Sequence, residues 1–166
     1  MTAIPMLQCK IDSDPESLDS LYQNFDWIPN SLTIRPTENV LNKKLETLKE
    51  IDEKWMSLKD YILFKVFKLE TKVICSRMYV PDQTVLTTAP YFEVNEFPYN
   101  IGKGNHWVLW YGSPTQPHSD QIINDDIREA ITTKLDGRTN FDFAWYINPK
   151  MSVPDFFHVQ VFWIEI

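Results

Sequence analysis

Residues 158–166, HVQVFWIEI, decide the fold because polar and apolar side chains alternate along them. Successive side chains of a β-strand point to opposite faces, so His158 and Gln160 share one face. The other face is uniformly apolar: Val159, Val161 and Trp163. Such alternation is typical of a strand that packs one face on a core. We therefore predict a strand over about 157–164.

The segments before this strand have a similar character. Prolines divide them into short pieces rich in aromatic and β-branched residues, which predicts further strands at about 92–95, 106–111 and 142–148. Between the second and third of these, Ser119 or Asp120 can cap a helix over about 121–135. Its apolar stripe ends before Gly137 and comprises Ile122, Ile123, Ile127, Ala130, Ile131 and Leu135.

The first 70 residues are expected to be mainly helical. A short helix is predicted after Asp14-Pro15, and Thr37 can cap another over about 38–50. A longer helix is predicted over 50–69 because its apolar residues recur at helical steps: Ile51, Trp55, Leu58, Ile62, Val66 and Leu69. The charged residues off this stripe are interpreted as a solvated face: Asp52, Glu53, Lys54, Lys59 and Asp60.

Helices followed by strand, strand, helix, strand, strand predict an α+β fold with an antiparallel sheet packed against helices. The length of 166 residues is that of one domain. We therefore expect a single domain over 1–166, in which a helical extension, 1–70, packs on an α+β core, 71–166.

The overall charge argues against nucleic acid as the main partner. The net charge is −7, the isoelectric point is near 4.9, and no stripe of Lys or Arg reverses this charge locally. A small phosphorylated ligand remains compatible, since a pocket can be positive within an acidic surface.

The cysteine pattern and the lengths of the apolar segments predict the cellular compartment. Cys9 and Cys75 form no CxxC pair. One disulfide between them is possible in principle, but they are interpreted as two buried thiols in a reducing environment. The first residues lack a basic start and a signal-like apolar run, and no uninterrupted apolar stretch is long enough to span a membrane. A cytoplasmic protein with no membrane partner is expected, and a nuclear location is the alternative.

The candidate site residues are histidines. His118 lies in a polar loop before a predicted helix and is expected to be exposed. His106 and His158 each open a predicted strand directly after an irregular loop. His158 and Gln160, polar neighbours on one strand face, need partners or water, so they are either satisfied structurally or line a pocket.

Other chemistries find little support in the chain. No HExxH, GxSxG or complete phosphate-loop pattern occurs, and the histidines and cysteines lack the close spacing of a zinc site. No metal and no cofactor are expected.

Two blocks resemble a family found in fungi, protists and large DNA viruses that includes the N-acetylglucosamine-induced protein. They are 95–112, NEFPYNIGKGNHWVLWYG, and 147–163, INPKMSVPDFFHVQVFW. The matching positions are Asn95, Phe97, Pro98, Tyr99, His106, Trp110, Asn148, Pro149, Ser152, Val153, Pro154 and His158.

The same blocks are similar, more distantly, to the histidine-triad superfamily of nucleotide hydrolases and transferases, which includes galactose-1-phosphate uridylyltransferases. This resemblance implies a histidine-triad-like sheet with His158 as the nucleophile. Gln160 and Asn148 would donate hydrogen bonds to phosphate or leaving-group oxygens, and His106 would contact the ligand. Phe156 stands where the first triad histidine would be. Lys103 or Lys150, in the adjoining loops, is expected to supply positive charge to the phosphate site.

Two hypotheses follow. The first is a nucleotide or sugar-nucleotide site with a degenerate histidine-triad-like arrangement, either a phosphoester hydrolase or transferase or a binding site without catalysis. The second is a non-catalytic structural or protein-interaction domain. Aromatic residues at alternating strand positions, such as Trp107 and Trp145, fit both hypotheses and are interpreted as core.

Overall fold

The structure, a computed structural model, describes residues 36–85, 89–101, 104–148 and 151–166. The helix predicted after Asp14 lies outside these residues. The described helices are α1 (Glu38–Lys54), α2 (Leu58–Lys65) and α3 (Asp120–Lys134). The described strands are β1 (Lys72–Ile74), β2 (Arg77–Tyr79), β3 (Tyr91–Val94), β4 (Asn105–Trp110), β5 (Phe141–Tyr146) and β6 (His158–Glu165). None of the described helices is long and apolar enough to cross a membrane.

The four longer strands form an antiparallel sheet in the order β3-β4-β6-β5, and β1 pairs with β2 in a separate hairpin. The predicted α+β class with an antiparallel sheet is confirmed. Each of the four predicted strands overlaps an observed one, since alternation of polar and apolar residues marks a half-buried strand.

Helix α3 covers one face of the sheet. Ser119 caps it by accepting a hydrogen bond from the Ile122 backbone N–H, as predicted, and the chain turns at Gly137 with a φ of 89°. The core beneath α3 contains the apolar face of β6 and most of the predicted stripe of the helix: Leu109, Ile123, Ile127, Ile131, Leu135, Phe141, Phe157, Val159, Val161 and Trp163. Ile122, predicted to belong to this stripe, is instead exposed. Trp107 and Trp145 pack against this core, so they are not a free stacking platform.

Helix α2 and the turn after it cover part of the opposite face. Leu63 is fully buried there, and it forms a second core with residues of the turn after α2, the end of the hairpin, β4 and the loop before β6: Val66, Phe67, Val80, Val108, Trp110, Val153 and Phe156. Helix α2 therefore packs on the face of the sheet that carries His158 and Gln160.

The prediction of one helix over 50–69 is wrong. Helix α1 continues past Glu50 to Lys54, the chain is extended at Trp55, and α2 begins after Ser57. The break arises from tertiary contacts, because Trp55 forms a backbone bridge with Met78 of the hairpin and the Met56 N–H donates to the Met78 carbonyl at 2.9 Å.

The prediction that Asp60 lies on a solvated face is also wrong. Its side chain is only 7% exposed. One carboxylate oxygen accepts from the Val80 backbone N–H at 2.9 Å, and the other accepts from the Ser57 hydroxyl. Since Ser57 in turn caps α2 by accepting from the Asp60 N–H, this carboxylate ties the start of α2 to the end of the hairpin.

Cys75 is exposed, so the predicted burial of its thiol is wrong. It occupies the turn of the β1–β2 hairpin, where Cys75 and Ser76 have φ angles of 49° and 64°. Consecutive positive φ angles belong to the two-residue turns that match the twist of a hairpin. Cys9 lies outside the described residues.

Candidate functional site

A cavity of about 280 Å³ lies between the sheet and helices α1 and α2. Its floor is the face of the sheet that carries His158 and Gln160. Its volume is slightly below the range of about 300–1,000 Å³ that is typical of small-molecule sites. Cross-strand pairing places Glu93, Val108, Gln160 and Tyr146 in one row across the four strands. His158 lies two residues before Gln160 on β6, in the row that contains Trp110.

His158 presents a fixed tautomer to this cavity. Its Nδ1 lies 2.8 Å from the Phe156 carbonyl oxygen, which can only accept, so Nδ1 carries the proton and donates. The Nε2 atom then holds a lone pair, and it has no hydrogen-bond partner in the described part of the chain. The ring stacks on Trp110 at 4.2 Å between centroids, which fixes its plane.

The protonation state of His158 follows from its burial. The side chain is 7% exposed. Burial lowers the pKa of His158, and the hydrogen bond to the Phe156 carbonyl opposes this only in part. The imidazole is therefore neutral at neutral pH, which is the state that a nucleophile or hydrogen-bond acceptor requires.

The orientation of His106 is set by the backbone of the loop after β3. Its Nδ1 accepts a hydrogen bond from the Tyr99 N–H at 3.0 Å. Burial lowers the pKa of His106 to about 4, so the ring is neutral and its proton must be on Nε2. The Nε2–H donates to Oε1 of Gln160 at 2.7 Å.

Asn95 fixes Gln160 from a second direction. Its Oδ1 accepts from the Phe97 N–H at 2.8 Å, which settles the orientation of the Asn95 amide. The Nδ2 of Asn95 then donates to the same Oε1 of Gln160 at 2.9 Å. We call Asn95, His106 and Gln160 the amide triad.

The hydrogen bonds within the amide triad determine which end of the Gln160 amide faces the cavity. Because Oε1 already accepts two hydrogen bonds, the Nε2 amide group is the part of the side chain left for the cavity, and it has no partner in the ranges that the structure describes. Gln160 and His158 both line this cavity. Two residues of strand separate them, or roughly 6.6 Å. A neutral imidazole lone pair therefore lies beside an amide donor, an arrangement suited to a phosphoryl group.

The structure does not bring His106 and His158 into contact. They face the same side of the sheet, but β4 and β6 are antiparallel, so His106 pairs with Phe162 and His158 pairs with Trp110. Four residues of strand separate the two positions, or about 13 Å. His106 is 3% exposed and does not line the cavity; it lies behind Gln160.

The remaining predicted residues lie in four different environments. Asn148 lines the cavity from the end of β5. Lys103 and Lys150 lie outside the described residues. Phe156 is buried in the core beside α2, and only its backbone carbonyl contacts His158. His118 is exposed, as predicted.

Several lining residues were not predicted because they come from the helices above the sheet. Tyr61 of α2 donates its hydroxyl proton to Glu96, with both carboxylate oxygens within 3.0 Å. Burial raises the pKa of Tyr61, and the hydrogen bond to Glu96 adds to this effect. The pair joins α2 to the loop after β3. Asn95 and Tyr99 could be identified from the sequence only as members of the Asn-x-Phe-Pro-Tyr block.

Among the described residues, no three His, Cys, Asp or Glu side chains come together as a group that could hold a metal ion.

Comparisons with known proteins give no functional assignment. No protein-family model and no curated protein matches the chain. One solved structure, titled "Crystal Structure of HTC1", is similar to it at 18% sequence identity with a TM-score of 0.45. The similarity covers 80% of this chain and 76% of that one.

Proposed function

We propose that the cavity binds a nucleotide or sugar nucleotide and that His158 attacks a phosphorus atom of this ligand. One observation carries the proposal: the Nδ1–H of His158 is committed to the Phe156 carbonyl, so a neutral Nε2 lone pair is left in a partly enclosed pocket. A solely structural histidine would be expected to use both of its ring nitrogens.

Gln160 supports a phosphorylated ligand over a neutral one. The amide triad directs its donor group to the cavity, and phosphoryl oxygens are acceptors only. Donors that are already oriented stabilise the charge that develops on these oxygens during transfer without reorganising. Asn148, at the end of the neighbouring strand, is a second amide on the cavity wall.

The proposed reaction has two steps. In the first, the Nε2 lone pair forms a P–N bond to the phosphorus while the P–O bond to the leaving group breaks, and the bonding electrons leave with that oxygen. In the second, a water molecule attacks the phosphorus and the P–N bond breaks, which regenerates the neutral imidazole. The proton that this water loses goes to solvent and balances the one that the leaving oxygen takes up from solvent. An alcohol in place of water would make the protein a transferase.

Phe156 does not remove the element that orients His158. The group that accepts the Nδ1 proton is the backbone carbonyl of residue 156, and any side chain at that position leaves this carbonyl in place. The proposal is also supported by the resemblance of two sequence blocks to the histidine-triad superfamily and to the family of the N-acetylglucosamine-induced protein.

The test is a thermal-shift panel of nucleotides, sugar nucleotides and sugar phosphates on the wild type, His158→Ala and His158→Asn. An asparagine can keep a donor near the Phe156 carbonyl while it removes the nucleophile, which separates catalysis from stability. A ligand at about 100 times its Kd stabilises by about 2.7 kcal/mol. For a chain of this size that corresponds to roughly 5–10 °C.

Ligands that stabilise the wild type are then assayed for turnover, and the enzyme is examined by intact mass for a phosphorylated adduct. Turnover and adduct that are lost in His158→Asn, and retained in His118→Ala, support the catalytic proposal. If the wild type binds a ligand but does not turn it over, the cavity is a binding site without catalysis. If no member of the panel stabilises the wild type, the proposal is wrong.

A further inference from the structure

Exposed apolar side chains border the opening of the cavity. Leu48 of α1 is 40% exposed and Val94 of β3 is 57% exposed, and both line the cavity. A lining side chain that also reaches solvent lies at the opening, so we call Leu48 and Val94 the apolar rim. Burial of these side chains under a further apolar surface would stabilise the fold by roughly 25 cal/mol per Å².

The amino-terminal part of α1 has little packing of its own. No residue between Glu38 and Glu50 is buried, and Ile51 is the one buried residue of this 17-residue helix. Short helices are marginal in water, and most of their stability in proteins comes from packing one face on another element. These turns of α1 therefore present a face that the described elements leave largely uncovered.

Three exposed lysines surround the same opening, and we call them the rim lysines. Lys44 lies on α1, Lys65 ends α2 and Lys68 follows it, and all three line the cavity. None of them forms an ion pair with another described residue. Glu93 and Glu96 also line the cavity, so lysines outnumber acidic residues there by three to two. On a chain of net charge −7, this local excess of positive charge favours an acidic covering element.

The chain that precedes α1 has a sequence suited to this surface. Residue 35 adjoins Pro36, which lines the cavity, and the residues before Pro36 lie outside the described ranges. Asp14 and Pro15 are start signals for a helix, and Pro29 limits its end. We call the stretch 14–28, DPESLDSLYQNFDWI, the acidic segment. Its apolar side chains recur at helical spacing: Leu18, Leu21, Tyr22 and Phe25.

The acidic segment is complementary in charge to the rim lysines. It contains no lysine or arginine and four acidic residues: Asp14, Glu16, Asp19 and Asp26. Asp19 and Asp26 lie three and four residues from Tyr22, so on a helix they flank its apolar side. Such a helix can place its apolar side on the apolar rim while these carboxylates face the lysines.

We propose that the acidic segment forms an amphipathic helix that covers the opening, with its apolar side on Leu48 and Val94 and its carboxylates beside the rim lysines. Seven residues, 29–35, connect it to Pro36, and an extended chain of this length reaches about 24 Å. Because this connection ends at the cavity, the segment has a high effective concentration there. A helix of this length is marginal in water on its own, so the same contacts stabilise the segment. The inference goes beyond the proposed function and does not require a ligand.

Thiol labelling of the full chain tests this cover. Cys9 and Cys75 are replaced by serine, and Val94→Cys introduces a reporter thiol whose reaction with iodoacetamide, a neutral reagent, is followed by intact mass. Leu21→Asp places a charge on the apolar side of the segment. Ser20→Asp is the matched control, because it adds the same charge away from that side.

Leu45→Cys supplies the rate for an uncovered thiol, since Leu45 is 66% exposed and does not line the cavity. We expect Val94→Cys to react at least about fivefold more slowly than this reference, because the segment buries several apolar side chains together with the reporter. Leu21→Asp should bring the rate close to that of the reference, and Ser20→Asp should leave it unchanged. Added salt should raise the rate of Val94→Cys in part, because it screens the attraction between lysines and carboxylates.

Charge reversal tests the contact with the lysines. Lys44→Glu should raise the rate of Val94→Cys because the new carboxylate repels the segment. Lys43→Glu is the matched control, since Lys43 does not line the cavity, and it should leave the rate unchanged. The described positions that are replaced are exposed, so each variant is expected to fold.

The pattern of protection decides the inference. Protection that is independent of protein concentration, is lost in Leu21→Asp and is retained in Ser20→Asp supports it. The inference is overturned if Val94→Cys reacts as fast as Leu45→Cys, or if Leu21→Asp and Ser20→Asp have equal effects. Protection that disappears on dilution would assign the surface to a second copy of the chain and would also overturn it.

Discussion

The Nε2 atom of His106 lies 2.7 Å from Oε1 of Gln160, although 54 residues separate them in the chain. Asn95 donates to the same oxygen at 2.9 Å. Two backbone N–H groups of one loop, those of Phe97 and Tyr99, settle the orientations of Asn95 and His106. The polarity that Gln160 presents to the cavity is therefore determined by the loop after β3.

Replacement of His106 by alanine is expected to destabilise the fold by about 3 kcal/mol, because it leaves a cavity and removes the partners of Tyr99 N–H and Gln160. Asn95→Ala should cost less, and the double variant should cost less than the sum of the two, since both act on one oxygen. Urea denaturation of the four proteins measures this coupling. Additive costs would contradict the network, and His118→Ala, at an exposed position, should change stability by no more than about 0.5 kcal/mol.

Stability should fall as the pH decreases from about 6.5 to about 4. Burial lowers the folded-state pKa of His106 to about 4, whereas an unfolded histidine titrates near 6.5. In this window the unfolded chain binds a proton that the folded chain does not, so stability is complete above the window and is lost through it. The loss attributable to His106 is about 3 kcal/mol.

The contribution of His106 is isolated by urea midpoints of the wild type and His106→Gln across this pH range. Burial also lowers the pKa of His158, which adds a loss of the same sign in both proteins. The stability difference between wild type and variant should therefore shrink as the pH falls. Parallel pH profiles would show that His106 does not titrate as described.

Asp60→Ala should destabilise the protein by about 2–3 kcal/mol, because the Val80 N–H and the Ser57 hydroxyl lose a charged acceptor in a buried position. Asp60→Asn should cost less, since its carbonyl can still accept from Val80. Thermal denaturation compares these variants with Asp52→Ala, an exposed control on α1. Equal effects of Asp60→Ala and Asp52→Ala would mean that the tie between α2 and the hairpin is not formed.

Leu63→Ala tests whether α2 packs on the sheet. The side chain is fully buried among residues of β4 and the loop before β6, so its truncation should cost about 2–5 kcal/mol, with a fall in melting temperature of roughly 5–15 °C. Leu45, on α1, is 66% exposed, and Leu45→Ala should have almost no effect. A small effect of Leu63→Ala would place α2 away from the sheet.

The sequence predicted the sheet and α3 well because their signals are local. Alternation along β6 places His158 and Gln160 on one face without knowledge of any neighbour, and Ser119 and Gly137 mark the limits of α3. The break before α2 was missed because Trp55 continues the apolar stripe, and its extended backbone results from pairing with Met78. The hairpin was missed because its turn, Cys75-Ser76, contains no glycine or asparagine.

The candidate site was only partly predictable for the same reason. The sequence indicates that His158 and Gln160 are neighbours, but it does not indicate that His106 lies behind Gln160. That relationship depends on the antiparallel register of β4 and β6 and on two backbone N–H groups of a loop. The cavity walls contributed by α1 and α2 also depend on packing between distant segments, which no local pattern specifies.

Gln160→Glu tests the polarity of the site directly. A carboxylate can still accept from Asn95 and His106, so the variant should fold, but its second oxygen presents a negative acceptor where the wild type presents a donor. Binding of phosphorylated ligands should weaken by at least about tenfold.

A second effect of Gln160→Glu needs no ligand. The new carboxylate favours protonated His106, so the pKa of His106 should rise and NMR titration should detect it. Gln116→Glu, which adds the same charge at an exposed loop position, is the matched control and should change neither property. If Gln160→Glu binds phosphorylated ligands as well as the wild type does, the donor of Gln160 does not face the ligand, and the phosphate-binding role assigned to the amide triad is wrong.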